Sequence, residues 1–320
     1  MERIEFINDT HDLVVNFNHE FFRTKRSFRI IDLRKISHPE FQKFEDLESK
    51  ILDCILQNGI RYYENDYLEF LQNASLDELH FKSYLKKIFQ DYKNVVSYVK
   101  RFGKDTTARY TKYRYETFDS LQKKFMLKNN GVIYTGNNLQ GRIDLINRVI
   151  EFASKSNSGK ILEAGCGAGL NLFLLTRLAP NLSNIEGFEY TNSRIASAIV
   201  NLVFEKNIER LFLADVTSLK LESESYDVVF TCHVLEQLGQ QNAELAIDEL
   251  LRITRKYLII SEPTLKDANL YEKWRMKKLG YCENLLNILR NSNKCRIIED
   301  YEDPIRYHPN TSYTIIVEKL

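Results

Sequence analysis

The 320-residue sequence predicts an α/β protein with a mostly parallel sheet, an antiparallel hairpin at the sheet edge and a mainly helical domain in front. From residue 160 onward, short apolar runs alternate with helical patterns, which indicates parallel strands with helices on both faces. Two strand-like runs, 295–301 and 311–318, are joined by a loop too short for a helix, so we expect them to pair antiparallel. Apolar residues at helical spacing before residue 130 predict the helices of the first domain.

Capping boxes mark two of the helices expected in the N-terminal part. Ser37–Glu40 and Ser75–Glu78 each place a serine three residues before a glutamate, ahead of an apolar helical stripe. A third helix is expected over 105–128, and residues 1–36 are expected to form short strands or loops.

Turn clusters at 129–131 and 136–138 indicate where the chain divides. We place the boundary between them, with a mainly helical domain over 1–132 and a sheet domain over 133–320. A helix over 139–155 is expected to lead into the first strand of the sheet.

Composition excludes several classes of protein. The 45 Lys and Arg residues against 44 Asp and Glu residues give a formal net charge of +1, so the chain has no global polyelectrolyte signature. Its five cysteines form no C-x-x-C pair, which indicates neither a zinc site nor a disulfide framework. No apolar run approaches membrane-spanning length, and the charged N-terminus lacks the apolar core of a signal peptide. We therefore expect a cytoplasmic protein with no metal site and no membrane contact.

Three glycines at alternate positions form the most informative motif. They lie in the run KILEAGCGAG at 160–169, between an apolar run and an apolar helix over 170–178, so a strand, a tight turn and a helix are predicted. Glycine permits positive φ and lets a ligand approach where a Cβ would block it, and the helix N-terminus adds free N–H groups. Glu163 precedes the first glycine by two residues, and the G-x-G-x-G spacing differs from the dinucleotide form G-x-G-x-x-G.

Acidic residues end the next two predicted strands. Glu189 could accept hydrogen bonds from both hydroxyls of a ribose. Asp215 could accept one from the exocyclic amine of an adenine, although an aspartate also suits a helix cap there. Because ligands of open α/β sheets bind at the carboxyl ends of the strands, these positions predict one nucleoside site. The adjacent residues Tyr190 and Val216 are expected to contribute to it.

Taken in order, these motifs resemble the class I S-adenosylmethionine (SAM)-dependent methyltransferases. The runs that carry the resemblance are LEAGCGAG at 162–169, YDVV at 226–229 and VLEQL at 234–238, and they are most similar to the small-molecule branch of the ubiquinone-biosynthesis type. The resemblance covers roughly residues 135–320. It implies methyl transfer with SAM as cofactor, and a Rossmann-like fold for which the antiparallel edge hairpin is characteristic.

The resemblance extends the cofactor site beyond the glycines and the two acids. Glu163 is expected to orient the turn and, indirectly, the methionine amine. Cys166 and Cys232 are interpreted as small packing residues beside the cofactor, with a nucleophilic thiol as the disfavoured alternative. The predicted cofactor site comprises Glu163, Gly165, Cys166, Gly167, Gly169, Glu189, Tyr190, Asp215, Val216, Cys232 and His233.

A general base is needed only if the acceptor is a hydroxyl or a protonated amine, since positioning supplies much of the acceleration in methyl transfer. The candidates are His233, Glu262, His308 and Tyr134. His233 follows the fourth strand, where the resemblance places the methyl group, and a histidine suits proton transfer near pH 7, whereas packing on the cofactor is its other interpretation. Gln237 departs from the family pattern, which often has a histidine at this position. Because glutamine accepts no proton, the sequence argues against a histidine base or a metal-assisted mechanism there.

These observations predict a methyltransferase that acts on an oxygen or nitrogen of a small or medium metabolite, with residues 1–132 shaping the acceptor pocket. Three alternatives stay open: an RNA or protein methyltransferase that uses the basic segment 100–128, an enzyme that uses SAM for cyclisation or aminocarboxypropyl transfer, and an inactive scaffold. The near-neutral charge and the helical spacing of the tyrosines in 100–128 favour a solvated structural face over nucleic-acid binding. A homodimer is left open.

Overall fold

The computed structural model describes only part of the chain. The described residues are 4–6, 13–16, 96–97, 99–100, 125–129, 132–136, 141–156, 159–202, 205–266, 268, 270–307 and 312–320. Helical backbone at 96–97 and 99–100 falls within the second predicted N-terminal helix. The rest of the three predicted N-terminal helices up to residue 124 lies outside the described residues, and so does His308.

Helices follow most of the strands between residues 143 and 291. The strands are β1 (Ile4–Phe6), β2 (Leu13–Asn16), β3 (Phe125–Asn129), β4 (Val132–Gly136), β5 (Ile161–Ala164), β6 (Ile185–Glu189), β7 (Ile208–Leu213), β8 (Tyr226–Cys232), β9 (Thr254–Pro263), β10 (Cys295–Glu302), β11 (Ile305–Tyr307) and β12 (Ser312–Lys319). The α-helices are α1 (Ile143–Lys155), α2 (Leu170–Leu178), α3 (Asn192–Leu202), α4 (Gly239–Ile253), α5 (Leu270–Leu279) and α6 (Leu285–Asn291), and a 3₁₀ helix spans Leu235–Leu238. The predicted α/β class is thereby confirmed.

The main sheet has the strand order β1-β2-β7-β6-β5-β8-β9-β12-β10. Strands β7, β6, β5, β8 and β9 are mutually parallel, and β12 pairs antiparallel with both β9 and β10, which confirms the edge pair. The chain adds strands in one direction from β5 to β7 and in the other from β8 to β9. The order therefore reverses between β5 and β8, which is the point where ligands bind in open α/β sheets.

A β-hairpin replaces the end of the third predicted helix. Residues 125–129 form strand β3, which pairs with β4 so that Asn129 lies opposite Val132. The prediction of a helix as far as residue 128 is wrong, because an Asn-Gly pair between two short apolar runs favours a two-residue hairpin. Strand β11 pairs with β3 and makes a second, three-stranded sheet. The hairpin spans the proposed boundary at residue 132, and the division into two domains stays a prediction.

Two apolar clusters hold the sheet between its helices. One lies between the sheet and helices α1 to α3, with Val149, Leu172 and Phe230 at its centre. The other lies under α4, around Leu162 and Leu250. Every residue of β5, β6 and β8 is buried, as expected for central parallel strands covered on both faces. Among the described helices, none is long and apolar enough to cross a membrane.

Candidate cofactor site

A cleft opens at the carboxyl ends of β5, β6, β7 and β8, beside the point where the strand order reverses. It holds about 680 Å³ of empty space with its open mouth included. Five residues of the predicted cofactor site line it together: Gly165, Glu189, Tyr190, Asp215 and Val216. The turn after β8 and the start of α4 supply the opposite wall, with Val234, Gln237, Leu238 and Asn242. This second wall was not predicted from the sequence.

The glycine turn after β5 has the left-handed backbone that its sequence predicts. The φ angles of Gly165, Gly167 and Gly169 are +71°, +57° and +86°. A Cβ at these positions would lie 2.4 Å from Val234 Cγ2, 2.5 Å from Arg194 Nη2 and 2.6 Å from Leu202 Cδ1, respectively. The turn therefore requires glycine both for its backbone and for close packing by protein side chains. Packing by Arg194 and Leu202 was not anticipated, since the sequence argument considered only the approach of a ligand.

Glu189 holds the glycine turn and the start of α3 together. Its Oε2 accepts a hydrogen bond from the Gly167 N–H (3.0 Å), and its Oε1 accepts from the N–H groups of Tyr190 (2.8 Å) and Thr191 (3.1 Å). The Thr191 hydroxyl lies 3.5 Å from Oε1, and Arg194 Nη1 lies 3.6 Å from Oε2. Since a carboxylate has about four acceptor positions, a ribose hydroxyl would have to share or displace one of these donors, whereas the sequence predicted two free acceptors.

Arg194 is a site residue that sequence reasoning missed. It is almost fully buried under Gly167, and its Nη1 lies 3.6 Å from Glu189 Oε2. Burial lowers the pKa of its guanidinium to about 10, so the side chain remains charged at neutral pH. A signal was present in the sequence, because Arg194 lies four residues before Ala198 and eight before Leu202, on the buried stripe of α3.

Asp215 follows β7 at the mouth of the cleft. Its Oδ1 accepts hydrogen bonds from the Thr217 N–H (2.9 Å) and the Thr217 hydroxyl (2.7 Å). No helix begins between β7 and β8, so these bonds form an Asx-type turn and the helix-cap alternative is not realised. Its Oδ2 accepts no hydrogen bond within the described part of the chain, which leaves one carboxylate oxygen for a ligand.

Glu163 presents a buried acceptor at the end of β5. Its side chain is 1% exposed, and Asn171 Nδ2 donates to its Oε1 over 2.7 Å. Its Oε2 has no hydrogen-bond partner in the described residues. Burial raises the pKa of Glu163 to about 8, with Glu189 also raising it while Asn171 and Arg142 lower it. Buried oxygens are seldom left without a donor, so this atom suits a cationic or N–H-bearing ligand.

Glu163 should make the stability of the ligand-free protein depend on pH. Its contribution is fully present below the ordinary carboxyl pKa of 4.5 and is lost as pH rises through about 8. Glu163→Gln keeps an acceptor for Asn171 but does not titrate. We expect the melting temperature of this variant to fall less than that of the wild type between about pH 6 and pH 9. If the melting temperatures of the wild type and the variant changed equally with pH over that range, the raised pKa assigned to Glu163 would be contradicted.

Two of the candidate bases, His233 and Glu262, do not line the cleft. His233 follows β8 with φ +58°, an uncommon conformation for a residue other than glycine, and its Nδ1 lies 3.4 Å from Glu236 Oε2. Tyr134 lies in β4 opposite Leu127.

Glu262 has a structural task in the turn after β8. It is fully buried and accepts hydrogen bonds from the N–H groups of Val234 (2.8 Å), Leu235 (3.0 Å) and Glu236 (3.1 Å). Burial and the nearby Glu236 raise the pKa of Glu262 to about 8, although the three N–H donors act to lower it. Its oxygens therefore cap the 3₁₀ helix, which the sequence did not indicate because the contact joins residues 26 to 28 positions apart.

The two cysteines of the predicted site are buried thiols. Burial raises the pKa of Cys166 well above its usual range and that of Cys232 to about 12. Arg142 donates to Cys232 Sγ, and neither cysteine lines the cleft. A thiol of this kind is not a nucleophile, which agrees with the packing interpretation. Among the described residues, no group of three or more His, Cys, Asp or Glu side chains could hold a metal ion.

The fold is a Rossmann-like methyltransferase fold. It is defined by the parallel sheet with its antiparallel edge pair, by the left-handed glycine turn and by the acids at the strand ends. Residues 162–260 match the family described as "Methyltransferase domain". The match supports an enzyme of the class I SAM-dependent methyltransferase type over this segment of the chain.

Solved structures with a similar fold include several methyltransferases. A magnesium protoporphyrin IX methyltransferase from Synechocystis PCC 6803 with bound SAM is 18% identical, with a TM-score of 0.41 over 57% of this chain and 81% of that one. The N-methyltransferase NodS from Bradyrhizobium japonicum WM9 with S-adenosylhomocysteine is 15% identical, with a TM-score of 0.42 over 55% and 86%. The [4+2]-cyclase SpnF is 15% identical, with a TM-score of 0.44 over 55% and 80%. No curated protein matches the sequence.

Proposed function

We propose that this protein transfers a methyl group from SAM to an oxygen or nitrogen of a small or medium metabolite, and that the adenosine part of SAM lies in the cleft. The observation that carries the proposal is the cleft itself. It lies at the reversal of the strand order, and Gly165, Glu189 and Asp215 line it together. A nucleoside needs this combination of close backbone approach and hydrogen-bond acceptors.

The acceptor atoms of the cleft suggest how SAM is held. Asp215 Oδ2 would accept from the amino group of the adenine, and Glu189 would accept from a ribose hydroxyl that shares or displaces one of its present donors. Glu163 Oε2, buried and without a donor, would accept from the methionine ammonium directly or through a water. When bound, SAM supplies a methyl group already activated on a positively charged sulfur.

The chain itself must place the acceptor and remove a proton from it. We propose His233 as the proton acceptor when the acceptor atom is a hydroxyl or an ammonium. Its Nδ1 faces the buried carboxylate of Glu236, which orients the ring. Its positive φ is a strained conformation of the kind found at functional sites. Residues 1–132 are proposed to shape the acceptor pocket.

A small acceptor is favoured over RNA by charge. The formal net charge is only +1, and phosphate recognition draws on many basic contacts. RNA or protein methylation, SAM chemistry without methyl transfer, and an inactive scaffold are the rival proposals.

A labelling experiment tests the proposal against these rivals. Purified protein is incubated with methyl-labelled SAM and three separate fractions: small metabolites, RNA and protein. We expect the label to enter the small-metabolite fraction and to require active protein. Label in RNA or protein would replace the proposed acceptor class. Loss of SAM without transfer of the label would support the non-methylating alternatives, and unchanged SAM in every fraction would support a scaffold.

A further inference from the structure

Asp303 lies at the junction of the two sheets. It follows Glu302, the last residue of β10, and lies two residues before Ile305, the first residue of β11. Strand β10 pairs with β12 in the main sheet, whereas β11 pairs with β3 in the three-stranded sheet. The side chain of Asp303 is 7% exposed. A buried carboxyl group therefore marks the point where the chain passes from one sheet to the other.

Three hydrogen bonds fasten this junction to the carboxyl end of β9 and the amino end of β12. The Thr314 hydroxyl donates to Asp303 Oδ1 over 2.7 Å, and the Ser261 hydroxyl donates to Oδ2 over 3.1 Å. The Asp303 N–H donates to the Ser312 carbonyl over 3.1 Å. The carbonyl of Ser261 in turn accepts from the His233 N–H over 3.1 Å. These bonds join the start of β11 to the strand ends beside His233.

The carboxyl group of Asp303 is bonded by hydroxyl groups and not by a cation. In the part of the chain that the structure describes, it forms no salt bridge. The charged and titratable side chains that face it are Arg142 and Asp144 at the start of α1, Tyr301 on β10 and Cys232 on β8. Burial and, to a lesser extent, Asp144 raise the pKa of Asp303 to about 7, although the two hydroxyl donors and Arg142 act to lower it.

The two protonation states of Asp303 differ in their cost at the junction. A neutral carboxyl group can donate its proton to one hydroxyl oxygen and accept from the other hydroxyl, so both side-chain bonds persist. A carboxylate keeps both donors but holds its charge in a buried place beside Asp144. The stabilising effect of Asp303 is therefore full below the ordinary carboxyl pKa of 3.8 and is lost as pH rises through about 7.

We propose that Asp303 is a proton-operated latch that holds β11, and through it the hairpin of β3 and β4, against the ends of β9 and β12. Loss of the proton loosens this junction. The hairpin on one side of the latch carries Tyr134 and precedes α1, and the turn on the other side carries His233. A change of pH near neutrality therefore alters how firmly the three-stranded sheet is held. The inference goes beyond the proposed function and does not depend on it, because Asp303 and its bonding partners do not line the cleft.

Hydrogen exchange measured by mass spectrometry tests the latch in the ligand-free full chain. Exchange is followed over a pH series from about pH 6 to about pH 8.5 and is corrected for its intrinsic dependence on pH. For a carboxyl group with a pKa of about 7 in the closed junction and near 3.8 when exposed, we expect the opening constant of peptides from β3, β4 and β11 to rise about tenfold across the series. Peptides from α4 are the internal reference, and any change that they share is global and is divided out.

Asp303→Asn is the decisive variant. Its amide can accept from one hydroxyl and donate to the other but does not titrate, so we expect the opening constant to change less than about twofold across the series. Asp300→Asn is the matched control. Asp300 lies on β10 beside the junction and bonds to Lys266 and Arg290, so its replacement should leave the tenfold change in place.

Asp144→Asn serves if the Asp303 variant does not fold. It removes the facing charge but keeps an acceptor for the Tyr301 hydroxyl, so the change in β11 should occur at lower pH than in the wild type. Equal protection of β11 across the series in the wild type, the wild-type change in a folded Asp303→Asn protein or, failing that variant, an unchanged midpoint in Asp144→Asn would overturn the inference. These results would leave the proposed function intact, because no ligand is present in the measurement.

Discussion

Gly167→Val is expected to abolish the binding of SAM and S-adenosylhomocysteine. Gly167 has φ +57°, and a new Cβ would lie 2.5 Å from Arg194 Nη2 and 3.1 Å from its Cζ. Arg194 is buried against Glu189 and has little room to retreat. The variant must therefore move the turn, the arginine or both, and the Gly167 N–H would leave Glu189. We expect affinity to fall more than about 100-fold by calorimetry, with a stability loss of at least about 1–2 kcal/mol from the left-handed backbone alone.

Gly239→Ala separates steric intrusion from backbone strain. Gly239 has φ +71°, yet the nearest atom to an added Cβ is the Gly280 carbonyl oxygen at 3.6 Å, an ordinary contact. We expect this variant to lose at least as much stability in thermal unfolding, because φ +71° with ψ 176° is a conformation that only glycine adopts readily, but to bind S-adenosylhomocysteine within about threefold of the wild type. If a folded Gly167→Val protein bound as tightly as Gly239→Ala, the glycine turn would not be part of the cofactor site.

Glu189→Gln is expected to have the second-largest effect. The carboxylate accepts three backbone N–H bonds and faces Arg194, and an amide nitrogen would turn a donor toward one of those donors. We expect a loss of about 2–4 kcal/mol in unfolding free energy, since charged buried acceptors contribute about that much. We also expect S-adenosylhomocysteine to bind at least about 30-fold more weakly, because the turn and the ribose acceptor are disturbed together.

Glu186→Gln is the control on the same strand. Glu186 is 2% exposed, accepts from the Tyr226 hydroxyl over 2.7 Å and pairs with Arg210 and Lys160, near the amino end of β6. Its replacement should cost comparable stability but leave the affinity of the folded protein unchanged. Equal losses of affinity in the two variants would mean that Glu189 acts only through stability.

Local patterns of the sequence predicted most of the sheet. The strands from β5 to β9 were predictable because each is a short apolar run, and all but β7 are followed by a helix. The edge pair was predictable because its connection is short. The hairpin of β3 and β4 was missed because Phe118, Leu121 and Phe125 also fit a helical spacing. In that segment the turn chemistry of Asn130-Gly131 outweighed the spacing of the apolar residues.

The candidate site was predictable where it depends on single motifs. The left-handed glycine turn, the two acids at the strand ends and the buried thiols follow from residue type and position. Glu262 as a cap, Arg194 beneath Gly167 and Gln237 in the cleft wall depend on residues that meet only after the chain has folded. The sequence also could not predict that backbone N–H groups bond to Glu189, because a glutamate at this position can bind either a ribose or a turn.

Calorimetric titration of the wild type with S-adenosylhomocysteine tests the central claim most directly. The sample is refolded or washed free of endogenous ligand, and its folded state is checked by thermal unfolding. We predict one site per chain with a dissociation constant of about 1–100 µM, a range common among enzymes for their substrates. No binding heat and no thermal shift at about 1 mM ligand, in a folded sample, would contradict the assignment of the cleft as the cofactor site.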